Sequence, residues 1–418
     1  LRHNFKGSTM LKNEQLHDTA ITRKQGLVGS VMDYNPINLA PKGVKQGDYF
    51  TTTIGPYDYW AIEYAYKPLS GGTDGELDKL MEIAKRGAAP GNDYATDEDL
   101  YNNADPLVNQ WDLGSDPMKY AQDRLLVTEE LLKDLADRVV ENGEGYQRVR
   151  HAFNMLMRQY ADAAELITRF VGGEYMYRDH RGDPDGRDPF VPVKVARQRE
   201  ALKFLQEHFL TDKAFHFSPQ LLRKLAADRW VHWGNEYALY TDVEYPLHRR
   251  ILQIQQIVLD HMFDPDVLGR IQNNSLKCDN GDQPLTIAEV FRCMTNGIWS
   301  EFPPKEGQTK ERSITTSIVR RNLQREHLKS LTRLVLGEKP AGGGASLIII
   351  LFGNTGSGSP PSDARSLARM HLRDIDRRIE ATLSDRQTPM EDTTRAHLEA
   401  CHERIAKVLS ASVQVNEP

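Results

Sequence analysis

The residues best suited to chemistry stand near the start of the chain: His3, and then the run Ser30-Val31-Met32-Asp33-Tyr34. An imidazole can ligate a metal ion, a phenol can donate a hydrogen bond to a developing oxyanion, and a thioether packs softly against other rings. Taken singly they say little, because a lone histidine is ordinarily a surface residue and a lone methionine ordinarily fills a core. Their order makes them one proposition. Behind them comes Gly55-Pro56-Tyr57-Asp58-Tyr59-Trp60-Ala61-Ile62-Glu63-Tyr64-Ala65-Tyr66. In it Trp60, Glu63 and Tyr64 alternate around Ala61, Ile62 and Ala65 as a short amphipathic helix would.

In this order the three pieces resemble the second half of a metzincin zinc site, from the third histidine onward. Metzincins carry H-E-x-x-H-x-x-G-x-x-H followed by a methionine turn. Leu1-Arg2-His3 matches the final x-x-H, Ser30 to Tyr34 matches the S-x-M-x-Y turn, and Asp58 to Ile62 matches a D-x-x-A-I helix that follows it. The nearest likeness is to the Met-zincin type domain of large bacterial zinc-dependent metalloproteases. Tyr94-Ala95-Thr96-Asp97-Glu98-Asp99 and Asp112-Leu113-Gly114-Ser115-Asp116-Pro117 are similar to stretches of that group as well. The resemblance implies zinc as cofactor, His3 as its third protein ligand, Met32 as an apolar floor under the ligand imidazoles, and Tyr34 as a hydrogen-bond donor to the tetrahedral oxyanion. It further implies a peptide or protein substrate and a periplasmic or extracellular location.

The 418 residues contain no H-E-x-x-H. The pattern puts its glycine immediately before Leu1, so the expectation is that both helix histidines and the glutamate base lie upstream. The chain alone is then expected neither to hold catalytic zinc tightly nor to cleave peptides. The competing reading, from a different class, is a non-catalytic helical binding or scaffold module with a vestigial metzincin segment.

Composition excludes other classes. A formal net charge of −6 gives no electrostatic reason for a nucleic-acid partner. The longest apolar run, Leu347 to Phe352, is far short of the roughly 20 residues needed to span a membrane. Three widely spaced cysteines, Cys278, Cys293 and Cys401, make neither a disulfide framework nor a zinc ribbon, although one Cys278–Cys293 bridge is compatible with the count. Leu347 to Phe352 followed by Gly353-Asn354-Thr355-Gly356-Ser357-Gly358 imitates a phosphate loop. Ser359 and Pro360 stand where the Lys and Ser/Thr would have to be.

Positioning those site residues requires a mainly α fold: the C-terminal subdomain of a metzincin-like catalytic domain followed by a multi-helix extension. The expected organisation is a catalytic subdomain over 1–70, an irregular acidic and Gly/Pro-rich connection over 71–117, a helical extension over 118–340, a flexible linker over 341–362 and a helical hairpin over 363–418. Residues 4–29 read as a loop, and Lys45 to Thr53 as a loop or edge strand. The carboxylates of the connection (Asp93, Asp97, Glu98, Asp99, Asp105, Asp112, Asp116) invite a calcium reading, but their spacing fits no EF-hand loop and acidic turn residues ordinarily cap helices.

Farther on, Leu125, Leu132, Leu135 and Val139 share one helix face, and Phe153, Leu156, Tyr160, Ala163, Ile167 and Phe170 form a sustained stripe that ends at Gly172-Gly173. Helices are also predicted over Glu76 to Lys85, Val193 to Phe209, Pro219 to Arg229, Leu247 to Met262, Asp266 to Asn273, Ile287 to Phe302, Thr315 to Leu336, Asp363 to Leu383 and Thr393 to Leu409. The basic residues of Thr315 to Leu336 (Arg320, Arg321, Arg325, Lys329, Arg333) read as a solvated face. The remaining histidines, including His208, His216, His248, His261, His397 and His402, show no metal-ligand spacing.

Overall fold

A computed structural model of the chain describes residues 3–228, 242–278, 283–303, 313–337 and 359–415. It is mainly helical and divides into two compact units, residues 1–197 with 218–228, and residues 198–217 with 229–418. The phosphate-loop imitation at 347–358 and most of the 341–362 linker lie outside the described residues.

The first unit starts with irregular backbone held by hydrogen bonds rather than by a ladder. Phe5 N–H donates to Ala95 O (2.9 Å) and Asn4 N–H to Met32 O (3.3 Å). Phe5 is fully buried with Ala95 and Val108. The 4–29 stretch is not all loop: it holds α1 (Thr19–Gln25), whose N-cap Asp18 accepts from Ala20 N–H. Seven residues, with only Ala20 and Ile21 apolar, are too few for periodicity to reveal. Lys45 to Thr53 is loop.

Next comes α2 (Pro56–Tyr66), begun by a proline that has no N–H to lose at the first helical position. Gly55 enters it so close to the preceding loop that a Cβ would stand 2.0 Å from Gly29 O. Tyr57 N–H takes that same carbonyl at 3.1 Å. Then follow α3 (Gly72–Ala84), with its carbonyl of Ile83 accepting from the Trp60 indole, and α4 (Asp97–Asn102). α4 escapes sequence analysis because six residues carry no measurable period.

Two long helices complete this scaffold. α5 (Pro117–Lys133) is capped by Asp116, whose carboxylate accepts from Lys119 N–H. It packs on α7 (Gln147–Thr168). The whole predicted stripe from Phe153 to Phe170 is buried. Leu125 and Val139 do not share one helix, however. The chain turns at Asp134, and α6 (Leu135–Val139) is a separate turn. β1 (Glu174–Met176) pairs antiparallel with β2 (Phe190–Pro192). α8 (Val195–His208) begins in this unit, and α9 (Pro219–Leu222) belongs to it. The predicted helix to Arg229 stops at Leu222, since the next buried residues, Leu225 and Ala227, alternate with exposed ones as non-helical backbone does.

The second unit is a helical bundle of α10 (Leu247–Met262), α11 (Pro265–Ser275), α12 (Ile287–Ile298), α13 (Ile318–Leu336), α14 (Ser362–Ser384) and α15 (Asp392–Val415). α13 packs against α10, α14 and α15, and α14 with α15 forms the predicted hairpin. One expectation fails here. Arg320 is no solvated residue but 6 % exposed, donating to the carbonyls of Leu210, Gly297 and Ile298 and to Glu301. Gly297 and Ile298 close α12, where free carbonyls and the negative dipole end attract a guanidinium. The three cysteines are free, so no Cys278–Cys293 bridge forms. Among the described residues no helix is long and apolar enough to cross a membrane.

Candidate active site

The candidate site is assembled from three separate segments of the first unit. His3 comes from the first, Tyr34 from the turn after Ser30, and Asp97 from the first position of α4. His3 Nδ1 lies 3.0 Å from both carboxylate oxygens of Asp97. Its Nε2 lies 3.2 Å from Tyr34 Oη. A carboxylate can only accept, so Asp97 fixes the ring proton on Nδ1 and leaves the Nε2 lone pair for the Tyr34 hydroxyl. One imidazole edge is thereby clamped and the other is offered.

The turn that presents Tyr34 is pinned from below by α2. Asp58, 7 % exposed, accepts from the Ser30 hydroxyl (2.8 Å), Val31 N–H (3.0 Å) and Gly55 N–H (2.9 Å). Ser30 Oγ in turn accepts from Met32 N–H at 3.0 Å. Ser30 and Asp58 thus earn their places in the two short motifs by bonding to each other. Rings hold the side chains: His3 packs at 5.1 Å from Tyr34 and 5.2 Å from Phe5, and Tyr34 stacks on Trp111 at 5.6 Å with 17° between planes. Trp111 N–H also donates to Tyr34 O at 2.8 Å.

Met32 enters the site through its backbone, whose carbonyl accepts from Asn4. Its side chain is 42 % exposed. Val31, Tyr34 and Ile37 are exposed as well. Between Met32 and Tyr34, Asp33 turns inward and accepts from Ser8 N–H at 2.8 Å. Burial, and then the charge of Asp112, push its carboxyl up to about 8, against hydrogen bonds from the backbone of Ser8, Tyr34 and Gly7. Burial likewise raises Asp112 to about 6.

The acidic connection supplies structure more than ligands. Asp93 and Asp179 pair with Arg187, Asp99 with Arg178 and Asp105 with buried Lys6. Asp99 also accepts from Thr96 N–H at the start of α4. Among the described residues one group of three or more side chains could hold a metal ion, Asp376, Glu380 and His402, and it lies in the second unit, on α14 and α15.

The profile of the family described as Met-zincin matches residues 1–306. The chain belongs to the Met-zincin family. No curated protein and no solved structure matches it. The Met-zincin match covers every residue of the candidate site and marks residues 1–306 as zinc metallopeptidase-like.

His3 fits zinc as one ligand of several. Ligand histidines characteristically donate their second ring N–H to a carboxylate, which orients the ring and raises the basicity of the coordinating nitrogen. Asp97 stands in that relation to His3. Sequence reasoning missed Asp97 as a site residue, although it lies inside a stretch that resembled the family. Trp111 was missed too, for its contact with Tyr34 joins distant segments of chain.

Proposed function

We propose that this Met-zincin chain carries the third zinc ligand and the transition-state donor of a secreted bacterial metallopeptidase. The observation that carries this reading is the double engagement of His3, with Nδ1 on Asp97 and Nε2 facing Tyr34 Oη. Completing the site requires two more ligands and a general base, which an H-E-x-x-H outside these 418 residues would supply. The exposed apolar side chains around the turn, Val31, Met32 and Ile37, are surface that such a neighbouring segment would cover. On this reading the chain by itself does not cleave peptides.

When bound, zinc acts as a Lewis acid and lowers the pKa of its water to about 7. The chain's own residues do the rest. Asp97 holds the imidazole in the tautomer that exposes the Nε2 lone pair. Asp58 and the Trp111 ring fix Tyr34; with the Nε2 lone pair given to zinc, its phenol O–H would no longer donate to His3 and would be a preorganised donor for the oxygen of the attacked carbonyl. Such a donor is worth more in a partly dry site than in water, because it needs no reorganisation when charge develops.

In full-length protein containing H-E-x-x-H, Tyr34→Phe is expected to keep its zinc and to lower kcat by about 10²-fold or more, the usual cost of losing one oxyanion donor. Zinc content by elemental analysis and turnover of a fluorogenic peptide check both halves. Unchanged turnover removes the donor role of Tyr34. The scaffold reading predicts instead that the full-length protein, zinc loaded or not, cleaves no peptide.

A further inference from the structure

The terminal hairpin carries a set of donors that the candidate peptidase site does not use. Asp376 and Glu380 stand one turn apart on α14, so both carboxylates project from one helix face. His402 comes from α15, which packs against α14. Its Nδ1 lies 2.8 Å from Asp376 Oδ1, and each of the three residues offers a ligand atom within 4.8 Å of the other two. Spacing along the chain leaves His402 without metal partners; the fold of the hairpin supplies them.

An ion pair between Asp376 and His402 accounts for two of these groups. It does not account for Glu380, which is exposed and enters no hydrogen bond or ion pair among the described residues. Asp374 on the same helix, by contrast, is paired with Arg377 and Arg378. Asp376 also lines a surface cleft of about 500 Å³ with Ser366, Met370, Arg373 and Arg377, so the cluster is reached from solvent.

The types of donor narrow the choice of ion. One imidazole with two carboxylates suits zinc and ions of similar softness. Calcium and magnesium take oxygen ligands, and either would leave the imidazole unused. Tetrahedral zinc, with bonds of about 2.0–2.2 Å, holds its donors roughly 3.3–3.5 Å apart. The Asp376–His402 pair has to open by about half an ångström, and Glu380 has to swing inward. Side-chain torsions of partly exposed residues allow both without moving either helix.

We propose that Asp376, Glu380 and His402 form a second zinc-binding site, separate from the candidate peptidase site, in which the ion ties α14 to α15. The three residues lie beyond residue 306, where the Met-zincin match ends, and the site stands whether or not the peptidase reading does. Three protein donors at the surface leave the fourth position to water. Such an open site exchanges its ion and gives it up on dialysis.

The test uses full-length protein, dialysed and then titrated with zinc chloride by calorimetry. One equivalent should bind beyond any that dialysis leaves in place, with a micromolar dissociation constant, and the thermal midpoint should rise with zinc concentration. His402→Ala and Glu380→Gln should each weaken this binding at least tenfold and remove the zinc-dependent rise. Glu380→Gln keeps the Asp376–His402 pair, so it separates ligation from loss of that pair. His3→Ala should leave this equivalent untouched, and calcium chloride should produce neither signal. Absence of the further equivalent, or an affinity unchanged in either hairpin variant, overturns the proposal. Calcium bound as tightly as zinc overturns it too, reducing the cluster to an acidic surface patch.

Discussion

His3 and His327, one in each unit, spend their ring nitrogens in opposite ways. His327 in the second unit is fully buried, accepts from the Trp299 indole at 3.0 Å and sits 5.5 Å from the Phe263 ring. Burial, and then nearby His371, drive its pKa down to about 3, so it stays neutral at any physiological pH. His3 in the first unit has a carboxylate on one nitrogen and a half-exposed phenol on the other. His327 is a histidine used as a shaped core residue with one acceptor. His3 is oriented by Asp97 at one nitrogen while the other faces the exposed Tyr34. Burial alone does not mark a functional histidine; the chemistry of its two partners does.

The comparison breaks most visibly at Asp97. Asp97→Asn removes the carboxylate that fixes the His3 tautomer, and zinc affinity of the full-length protein should fall about 10- to 100-fold, the usual cost of losing an outer partner of a ligand histidine. Competitive chelator titration reads this directly. A loss under twofold would mean that Asp97 merely supplies a carboxylate to the first turn of α4, where negative charge suits the helix dipole.

His327→Leu should act on the other side of the contrast. It leaves the buried Trp299 indole N–H without an acceptor, which costs roughly 1–3 kcal/mol of stability. Denaturant unfolding should show the drop, and zinc per folded chain should stay at the wild-type value. Zinc loss in this variant would erase the distinction between the two histidines.

Asp33 sharpens the contrast by pH. Its carboxyl rises from an ordinary 3.8 to about 8 in the folded chain, so between those values the folded state holds a proton that the unfolded state has released. Stability from this group is therefore full below the ordinary value and is lost as pH rises toward 8. Asp33→Asn keeps an acceptor for Ser8 N–H and removes the titration. The Tm of the variant, relative to wild type, should climb steadily from pH 4 to pH 8. A difference independent of pH would show that Asp33 does not titrate across this window.

Much of the fold was legible because burial imposes a period. α10 runs from Leu247 to Met262, as its spacing requires, and the Phe153 to Phe170 stripe is buried throughout. The failures have physical causes. α1 and α4 are too short to show a period, the turn at Asp134 interrupts a pattern that looks continuous, and Arg320 is buried because free carbonyls at the end of α12 meet it. The candidate site was legible in His3, Tyr34 and the short motifs around them, since each motif carries its own local bonds. Asp97 and Trp111 were not. Their roles come from contacts across long stretches of chain, which spacing within a motif does not encode.

Zinc ligation by His3 is read from metal content. Full-length protein carrying H-E-x-x-H, purified in zinc and dialysed, should retain one zinc per chain, and His3→Ala should lose it while remaining folded by circular dichroism. Zinc retained at full occupancy in folded His3→Ala would contradict the account and return the His3–Asp97–Tyr34 cluster to a purely structural role.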